Sequence, residues 1–157
     1  MPDNFEIVSG GTELLDLVKP LWEQLNALHA EASEHFSKSY EEWTFEDRIS
    51  GLLVKAAEHR MNIDLAYDRE HEKNVGYCIS TIDEGDIGEV DFIFIEEPYR
   101  GQGLGEALME SALQWLERHE VKEKIVAVAE GNEKVLDFYQ RFEFYPRRIV
   151  LLQKKEP

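Results

Sequence analysis

The stretch EEPYRGQGLGEALME, residues 96–110, constrains this chain more than any other. Glycines occupy positions 101, 103 and 105, with Pro98 and Arg100 before them. Leu104, Leu108, Ser111 or Ala112, and Trp115 follow at helical spacing. The apolar run IGEVDFIFI, residues 87–95, leads in. The segment is therefore a strand, a turn at Pro98 and a helix starting near Gly103. The first turn of a helix leaves backbone N–H groups unpaired, and the helix dipole adds partial positive charge there. Together they make an anion site whose usual occupant is phosphate. Glycine removes the Cβ atoms that would hold a bulky pyrophosphate away and permits positive φ; Arg100 adds a full charge at the rim. The alternative is a glycine-rich helix start with no ligand, at a cost in stability that nothing recovers. A Rossmann fingerprint would need G-x-G-x-x-G in a parallel unit and an acid about 20 residues on. The spacing and the preceding strands both differ. A Walker loop would need Gly-Lys-Ser/Thr, which does not follow.

Around this segment the hydrophobic period changes in an ordered way. Phe5 to Val8 is a short strand candidate, and Leu14, Val18, Leu21, Leu25, Leu28 and Ala32 then recur at helical spacing. Pro20 is expected to kink that helix or restart it. SEHFSKSYEEW, residues 33–43, breaks the pattern and reads as a loop with exposed aromatics. Thr44 opens TFED, a capping-box-like start, and Phe45, Ile49, Leu52, Leu53 and Ala56 give a second helix its apolar face. Met61, Ile63, Leu65 and Tyr67 alternate as on a half-buried strand. VGYCISTI (75–82) and IGEVDFIFI (87–95) complete an antiparallel meander through the charged turns DREHEKN and DEGD. KIVAVA, residues 124–129, reads as a central strand. Asn132 is placed to cap a helix carrying Val135, Phe138, Tyr139 and Phe142, and RRIVLLQ, residues 147–153, reads as a closing strand. The order β-α-α-β-β-β-α-β-α-β is mixed α/β, and 157 residues suit one domain, 1–157.

Charge narrows the partners. The formal net charge is −16. Residues 1–99 hold 23 acids against 7 Lys and Arg, while residues 100–157 hold 10 of each. Such a chain repels nucleic-acid phosphates and anionic membranes, so neither is expected as a partner. The acidic first part either keeps the surface soluble or attracts a cationic ligand. The one cysteine, Cys78, excludes an internal disulfide and suits the reducing cytoplasm. MPDNFEIVSG has no secretory pattern, and no apolar run reaches the roughly 18 residues of a membrane span. His29, His35, His59, His71 and His119 show no metal-ligand spacing, so no metal is expected.

RGQGLG, residues 100–105, resembles the pyrophosphate-binding signature R/Q-x-x-G-x-G/A of the GNAT N-acetyltransferase superfamily. DFIFIEEPYRGQGLGEALM is similar to that family's central strand, loop and helix. AVAEGNEKVLDFYQRFEF is similar to its next strand and helix, including the Asn-x6-Tyr spacing from Asn132 to Tyr139. The resemblance covers most of the chain. It implies the GNAT acyl-CoA N-acyltransferase fold, acetyl-CoA as cosubstrate and an amine as acceptor. It assigns the pyrophosphate to Arg100 and the amides of Gly101, Gln102, Gly103, Leu104, Gly105 and Glu106. The pantetheine would lie in a splay between two central strands along Ile93, Phe94 and Ile95, with Asn132 in the same cofactor site.

The family's reaction is direct attack of an amine on the acetyl-CoA thioester. An amine with a pKa near 10 must first lose a proton, and the departing thiolate must gain one. Tyr139 matches the family's thiol-facing tyrosine, a general acid or hydrogen-bond donor; on residue type alone it is equally a core residue with a tethered hydroxyl. Glu89 resembles the glutamate base of the histone-acetylating branch, and Asp91, two residues on, is expected beside it. Two close carboxylates raise one pKa toward the working range. The alternatives are two solvated acids and a water relay. A base placed by some relatives on the next strand is excluded, because Ala127 stands there. By resemblance the acceptor meets residues 33–43, where Phe36, Tyr40 and Trp43 would wall a pocket and Glu41 and Glu42 meet an ammonium; the aromatics could equally pack on the core. The enzyme reading has two rivals, an acyl-CoA-binding sensor or interaction module and a transferase of longer acyl groups. A monomer and a homodimer are both compatible with the sequence.

Overall fold

The computed structural model describes residues 1–155. Five strands form one sheet in the order β1-β2-β3-β4-β5: β1 (Phe5–Gly10), β2 (Met61–Asp68), β3 (Lys73–Ile82), β4 (Ile87–Ile95) and β5 (Glu123–Val126). The first four are antiparallel, as the meander pattern predicts, and β5 runs parallel to β4. Between β1 and β2 lie α1 (Leu15–Ala32), α2 (Ser37–Glu42) and α3 (Phe45–Lys55). The helix α4 (Leu104–Arg118) connects β4 to β5, and the short α5 (Leu136–Gln140) follows. The mixed α/β class expected from the sequence is the one found.

Each face of the sheet has its own core. Val18, Leu21, Trp22 and Leu25 of α1, with Phe45, Ile49 and Leu52 of α3, cover Ile63, Leu65, Tyr77, Ile79 and Phe94. Leu104, Leu108, Met109, Ala112 and Leu116 of α4 cover Ala66, Val75, Cys78, Ile82 and Val90 on the other face, joined by Tyr139. Thr44 caps α3 as expected, its Oγ1 accepting from Asp47 N–H at 3.1 Å.

Several local expectations are corrected. The helix α1 runs unbroken through Pro20, held by the apolar face that packs on the sheet. Residues 33–43 are not all loop: Ser37 Oγ donates to the carbonyls of Ala30 and Ser33, and α2 forms behind that turn. The strand β2 is buried along almost its whole length, because helices cover both faces. KIVAVA contributes only Lys124, Ile125 and Val126 to the four-residue β5, which is an edge rather than a central strand, since among the described residues no sixth strand pairs with it. Asn132 makes no side-chain cap, and the helix after it is a single 3-10 turn followed by five residues. RRIVLLQ lies outside regular structure and is solvent-exposed, having no strand edge beside it. Among the described residues no helix is long and apolar enough to cross a membrane.

Candidate active site

The strands β4 and β5 pair only from Ile87↔Glu123 to Val90↔Val126. Beyond Val90, β4 continues to Ile95 with β3 on one side and no strand on the other. Along residues 91–95 only the backbone groups that point away from β3 therefore meet this open edge, as an extended ligand would require, and Ile95 O among them already accepts from Arg100 Nε. Ile93, Phe94 and Ile95, the expected pantetheine contacts, all lie on this open stretch. Ile93 and Ile95 face the core under α4, and Phe94 faces the other.

The open edge leads into the glycine segment. Gly101 and Gly103 have φ of +80° and +85°, values that L side chains resist, so glycine is required by the backbone itself. A Cβ on Gly101 would meet nothing within 4 Å. Gly105 is different: a Cβ there would sit 3.4 Å from the Phe138 ring, so this glycine also sets how closely α4 approaches α5. The first helical bond of α4 runs from Ala107 N–H to Gly103 O, leaving the amides of Leu104, Gly105 and Glu106 ahead of it. Glu106 would repel an anion at this helix start, but Arg141 pairs with it. Arg100 is exposed, and its Nε donates to Ile95 O at 2.8 Å, tying the turn back to the end of β4. Gln102 is half-buried beside the Tyr99 carbonyl. Asn132 is half-buried in the turn before α5, where its N–H donates to Ala129 O.

Tyr139 is buried in the α4-side core, its ring 5.4 Å from Phe138 and 6.4 Å from Phe144. Burial, and then the neighbouring Cys78 thiol, push its hydroxyl well above the usual tyrosine range. At neutral pH it is a proton donor in an apolar setting.

Glu89 and Asp91 do come together, through a residue that sequence reasoning missed. Lys55, the last residue of α3, contacts Glu89 Oε1 at 3.2 Å and also Asp91 Oδ1. Thr81 Oγ1 donates to Asp91 Oδ2 at 2.7 Å. Alternation sets both carboxylates on the α3 side, with Val90 between them packed on the α4 side, as the sequence suggests. Ser80 opposes Val90 and Ile79 opposes Phe92, so Asp91 is the extra residue of a β-bulge. The bulge leaves Phe92 on the α3 side with Asp91, so the alternation is reset and Ile93 and Ile95 turn to the α4 side. Burial pushes the Asp91 carboxyl up to about 6; the Lys55 ammonium opposes this and the Glu89 charge adds to it. Burial acts to lower Lys55 as well, but Asp91 and Glu89 outweigh it and hold the ammonium above its ordinary range.

The residues expected to meet the acceptor divide. Glu41 and Trp43 line a groove of about 690 Å³ between α1 and the start of α3, together with Glu23, Glu31 and Glu46. The one cation there, Lys19, is held by Glu46 at 2.7 Å. Tyr40 meets Trp43 edge-to-face at 5.0 Å and His29 at a tilt at 5.4 Å. Phe36 packs on His35 instead, and Glu42 is exposed outside the groove. Asp91 belongs with Lys55, not with this wall. A second missed residue connects the two regions: the Arg48 guanidinium lies 4.9 Å over the Trp43 ring and 5.4 Å over Phe92 of β4. Both missed residues are on α3, seven apart, so one helix face carries them to β4. Asp68, Glu70 and His71 are the one group with closely spaced metal-type ligand atoms among the described residues. Asp68 is already engaged by Asn4, His71 and turn amides, as a structural brace between β2 and β3.

Comparison with known proteins agrees with this geometry. The chain matches the acetyltransferase (GNAT) family over residues 22–144, most of its length. It is 28% identical over 72 residues to an uncharacterized N-acetyltransferase of Methanocaldococcus jannaschii. That match covers 46% of this chain and 32% of the relative, so the chain spans about a third of that protein. Its fold superimposes on that of a putative acetyl transferase from Pyrococcus furiosus with a TM-score of 0.73 at 21% identity, covering 95% of this chain and 98% of that one. It also superimposes on AAC(6')-Iy in complex with a CoA-based bisubstrate analogue, with a TM-score of 0.63 at 14% identity, covering 98% and 99%. The chain belongs to the acetyltransferase (GNAT) family.

Proposed function

We propose that the protein is an acetyl-CoA-dependent N-acetyltransferase that acetylates the amine of a cationic small molecule or protein in the cytoplasm. The observation that carries this reading is the open edge of β4 ending at the positive-φ glycines and the free amides of α4. An extended pantetheine fits the first, and a pyrophosphate fits the second. A structural neighbour bound to a CoA-based bisubstrate analogue supports the same reading. Opening one strand edge and placing two glycines at positive φ both cost stability, and an anionic, strand-like cofactor recovers it.

The reaction then runs on this chain's own groups. The amine nitrogen attacks the thioester carbonyl carbon, the C–S bond breaks, and an amide and a thiolate result. The Glu89–Asp91 pair accepts the ammonium proton, directly or through one water. The Tyr139 hydroxyl gives a proton to the departing sulfur, and the second proton that the nitrogen sheds as the amide forms restores that hydroxyl through water. Backbone N–H of Ile93 or Ile95, on the side away from β3, polarises the carbonyl oxygen. Screening a panel of amines for thiol release from acetyl-CoA tests the reading. Release with no amine in the panel, while acetyl-CoA still binds, would favour a sensor. Release only from longer acyl-CoA thioesters would change the donor.

Two expected results arise here. The plot of log kcat/KM against pH bends near 6, where Asp91 loses its proton. Asp91→Asn abolishes that bend. Lys55→Met moves it to higher pH, because the cation opposing the burial effect is gone. The same shift sets a stability trend. Asp91 binds its proton more tightly folded than unfolded, so its contribution is largest below about pH 4 and is lost as pH rises through about 6. A profile with no bend, or one that Asp91→Asn leaves in place, removes the pair from proton transfer.

The second result concerns charge. The groove wall holds Glu23, Glu31, Glu41 and Glu46 against one paired lysine. Acceptor kcat/KM should fall as salt rises, because screening shortens the field's reach to about 8 Å at physiological ionic strength. Glu41→Gln should raise KM for the amine and spare that for acetyl-CoA, whereas Glu42→Gln, outside the groove, should change little. A flat salt profile, or a neutral preferred acceptor, returns the acidic surface to a solubilising role.

A further inference from the structure

The carboxylate pair that is to take a proton from an acceptor amine already holds an amine. Lys55 Nζ lies 3.2 Å from Glu89 Oε1 and contacts Asp91 Oδ1 as well. A general base must come within about 2.6–3.2 Å of the group it deprotonates. The place an acceptor nitrogen must reach is therefore the place this nitrogen occupies. A lysine in the last turn of a helix is ordinarily explained by the helix dipole. That accounts for the residue type at the end of α3, but not for its turning onto two acids of β4. The point of attack lies close by. Ile93, whose N–H polarises the thioester carbonyl in the reading above, stands two residues beyond Asp91 on the same strand, at most about 7 Å away. Lys55 can cover that distance. It ends α3, Ala56 after it is extended, and its flexible four-carbon stem is 34% exposed.

We propose that Lys55 is an acetylation site of the protein itself, modified from acetyl-CoA held on the same chain when no acceptor amine is present. The proposal rests on the acetyltransferase reading above. The step uses groups already named, and it balances. The Lys55 ammonium gives one proton to Asp91 or Glu89. Its nitrogen then bonds to the thioester carbonyl carbon, and the C–S bond breaks. Tyr139 protonates the departing sulfur, and the second proton shed by the nitrogen restores the Tyr139 hydroxyl through water. The products are Nε-acetyl-lysine, the free CoA thiol and one proton, which the carboxylate releases to solvent. Two ion pairs keep the unprotonated fraction of Lys55 small, so the step is slow and happens once per chain. The same ion pairs make the site diagnostic. A thioester attacking from solution meets exposed lysines such as Lys38 and Lys134 first; Lys55, half-buried and held charged by two acids, is poorly placed for it. Preferential acetylation at Lys55 therefore reports transfer within the site. The modification also removes the charge that both carboxylates hold, leaving Glu89 and Asp91 side by side without their cation.

The test uses the full chain and acetyl-CoA with no amine added. Mass spectrometry of the intact protein should show the gain of one acetyl group, peptide mapping should place it on Lys55, and one equivalent of thiol should appear with it. At saturating acetyl-CoA the rate constant should be unchanged when the protein is diluted, since donor and acceptor share one chain. Lys55→Arg keeps the positive charge without the amine and should gain neither the acetyl group nor the thiol signal. Glu89→Gln/Asp91→Asn keeps the lysine and should slow its modification by about 100-fold or more. Far-UV spectra check that both variants are folded, and calorimetric titration checks that acetyl-CoA binds. Acetyl-CoA that binds while Lys55 stays unmodified overturns the proposal; turnover of a panel amine in the same preparation leaves the transferase standing. Acetyl-CoA that does not bind overturns both. Acetylation of Lys38 and Lys134 as fast as of Lys55, or undiminished modification in Glu89→Gln/Asp91→Asn, is chemistry from solution and overturns the proposal. A rate that falls on dilution means transfer between copies and overturns it too.

Discussion

Gly103→Val should raise the Kd for acetyl-CoA by roughly 30- to 1000-fold, equivalent to about 2–4 kcal/mol. Two effects contribute and can be separated. Gly103 is the residue before α4, with φ +85° and ψ 7°. A β-branched residue in that left-handed conformation costs about 1–3 kcal/mol. Relieving the strain turns the following amides away from their shared direction. A Cβ at Gly103 would also lie 3.5 Å from the Met1 nitrogen, so a valine side chain crowds the space beside the helix start. Gly103→Asn separates the two, because asparagine tolerates the left-handed region and still adds a side chain. If exclusion dominates, both variants lose affinity; if backbone strain dominates, asparagine retains most of it. Calorimetric titration with acetyl-CoA reads the result, with thermal unfolding recorded alongside. Unchanged affinity in a folded Gly103→Val would overturn the pyrophosphate assignment. Gly105→Val is the poorer test, since its Cβ meets Phe138 and would disturb α5 and Tyr139 with it.

What could be read from the chain alone divides along a physical line. Gly101 and Gly103 were legible because positive φ leaves glycine little competition, and the requirement is written into residue type. The cap at Thr44 and the hairpin turns were legible for the same reason: each is satisfied within a few residues. The pairing of Lys55 with Glu89 and Asp91 was not. It joins the end of α3 to β4 across 34 and 36 residues, and nothing in the spacing along either element names the other. Asp91 was expected beside Glu89 by alternation and lies there; the bulge changes only the faces of the residues after it. Arg48 was hidden likewise, since a cation over two aromatic rings leaves no spacing signal. RRIVLLQ shows the converse case. Its side chains have strand propensity, but a strand is a relation between two segments, and propensity names only one of them.

The largest catalytic effect is expected at Tyr139. Tyr139→Phe removes one oxygen from a side chain whose ring is packed against Phe138 and Phe144 and keeps that packing. Burial raises the hydroxyl's pKa, so it holds its proton at every pH where the acceptor amine reacts. A donor of that kind is useless to a neutral thioester and useful to a thiolate leaving group, so its effect belongs to the transition state. The chemical step should therefore fall by about 10- to 1000-fold with acetyl-CoA affinity unchanged. The separation from packing rests on the leaving group. If Tyr139 donates to sulfur, a thioester whose thiol is more acidic needs the proton less, and the deficit of Tyr139→Phe shrinks with it. A packing role would lower the rate for every thioester by the same factor and would lower the unfolding temperature too. Single-turnover rates with two acyl donors of different thiol acidity measure this. Wild-type rates in Tyr139→Phe, with chemistry shown to limit turnover, would make Tyr139 a residue of the α4-side core and leave the thiolate to be protonated by solvent.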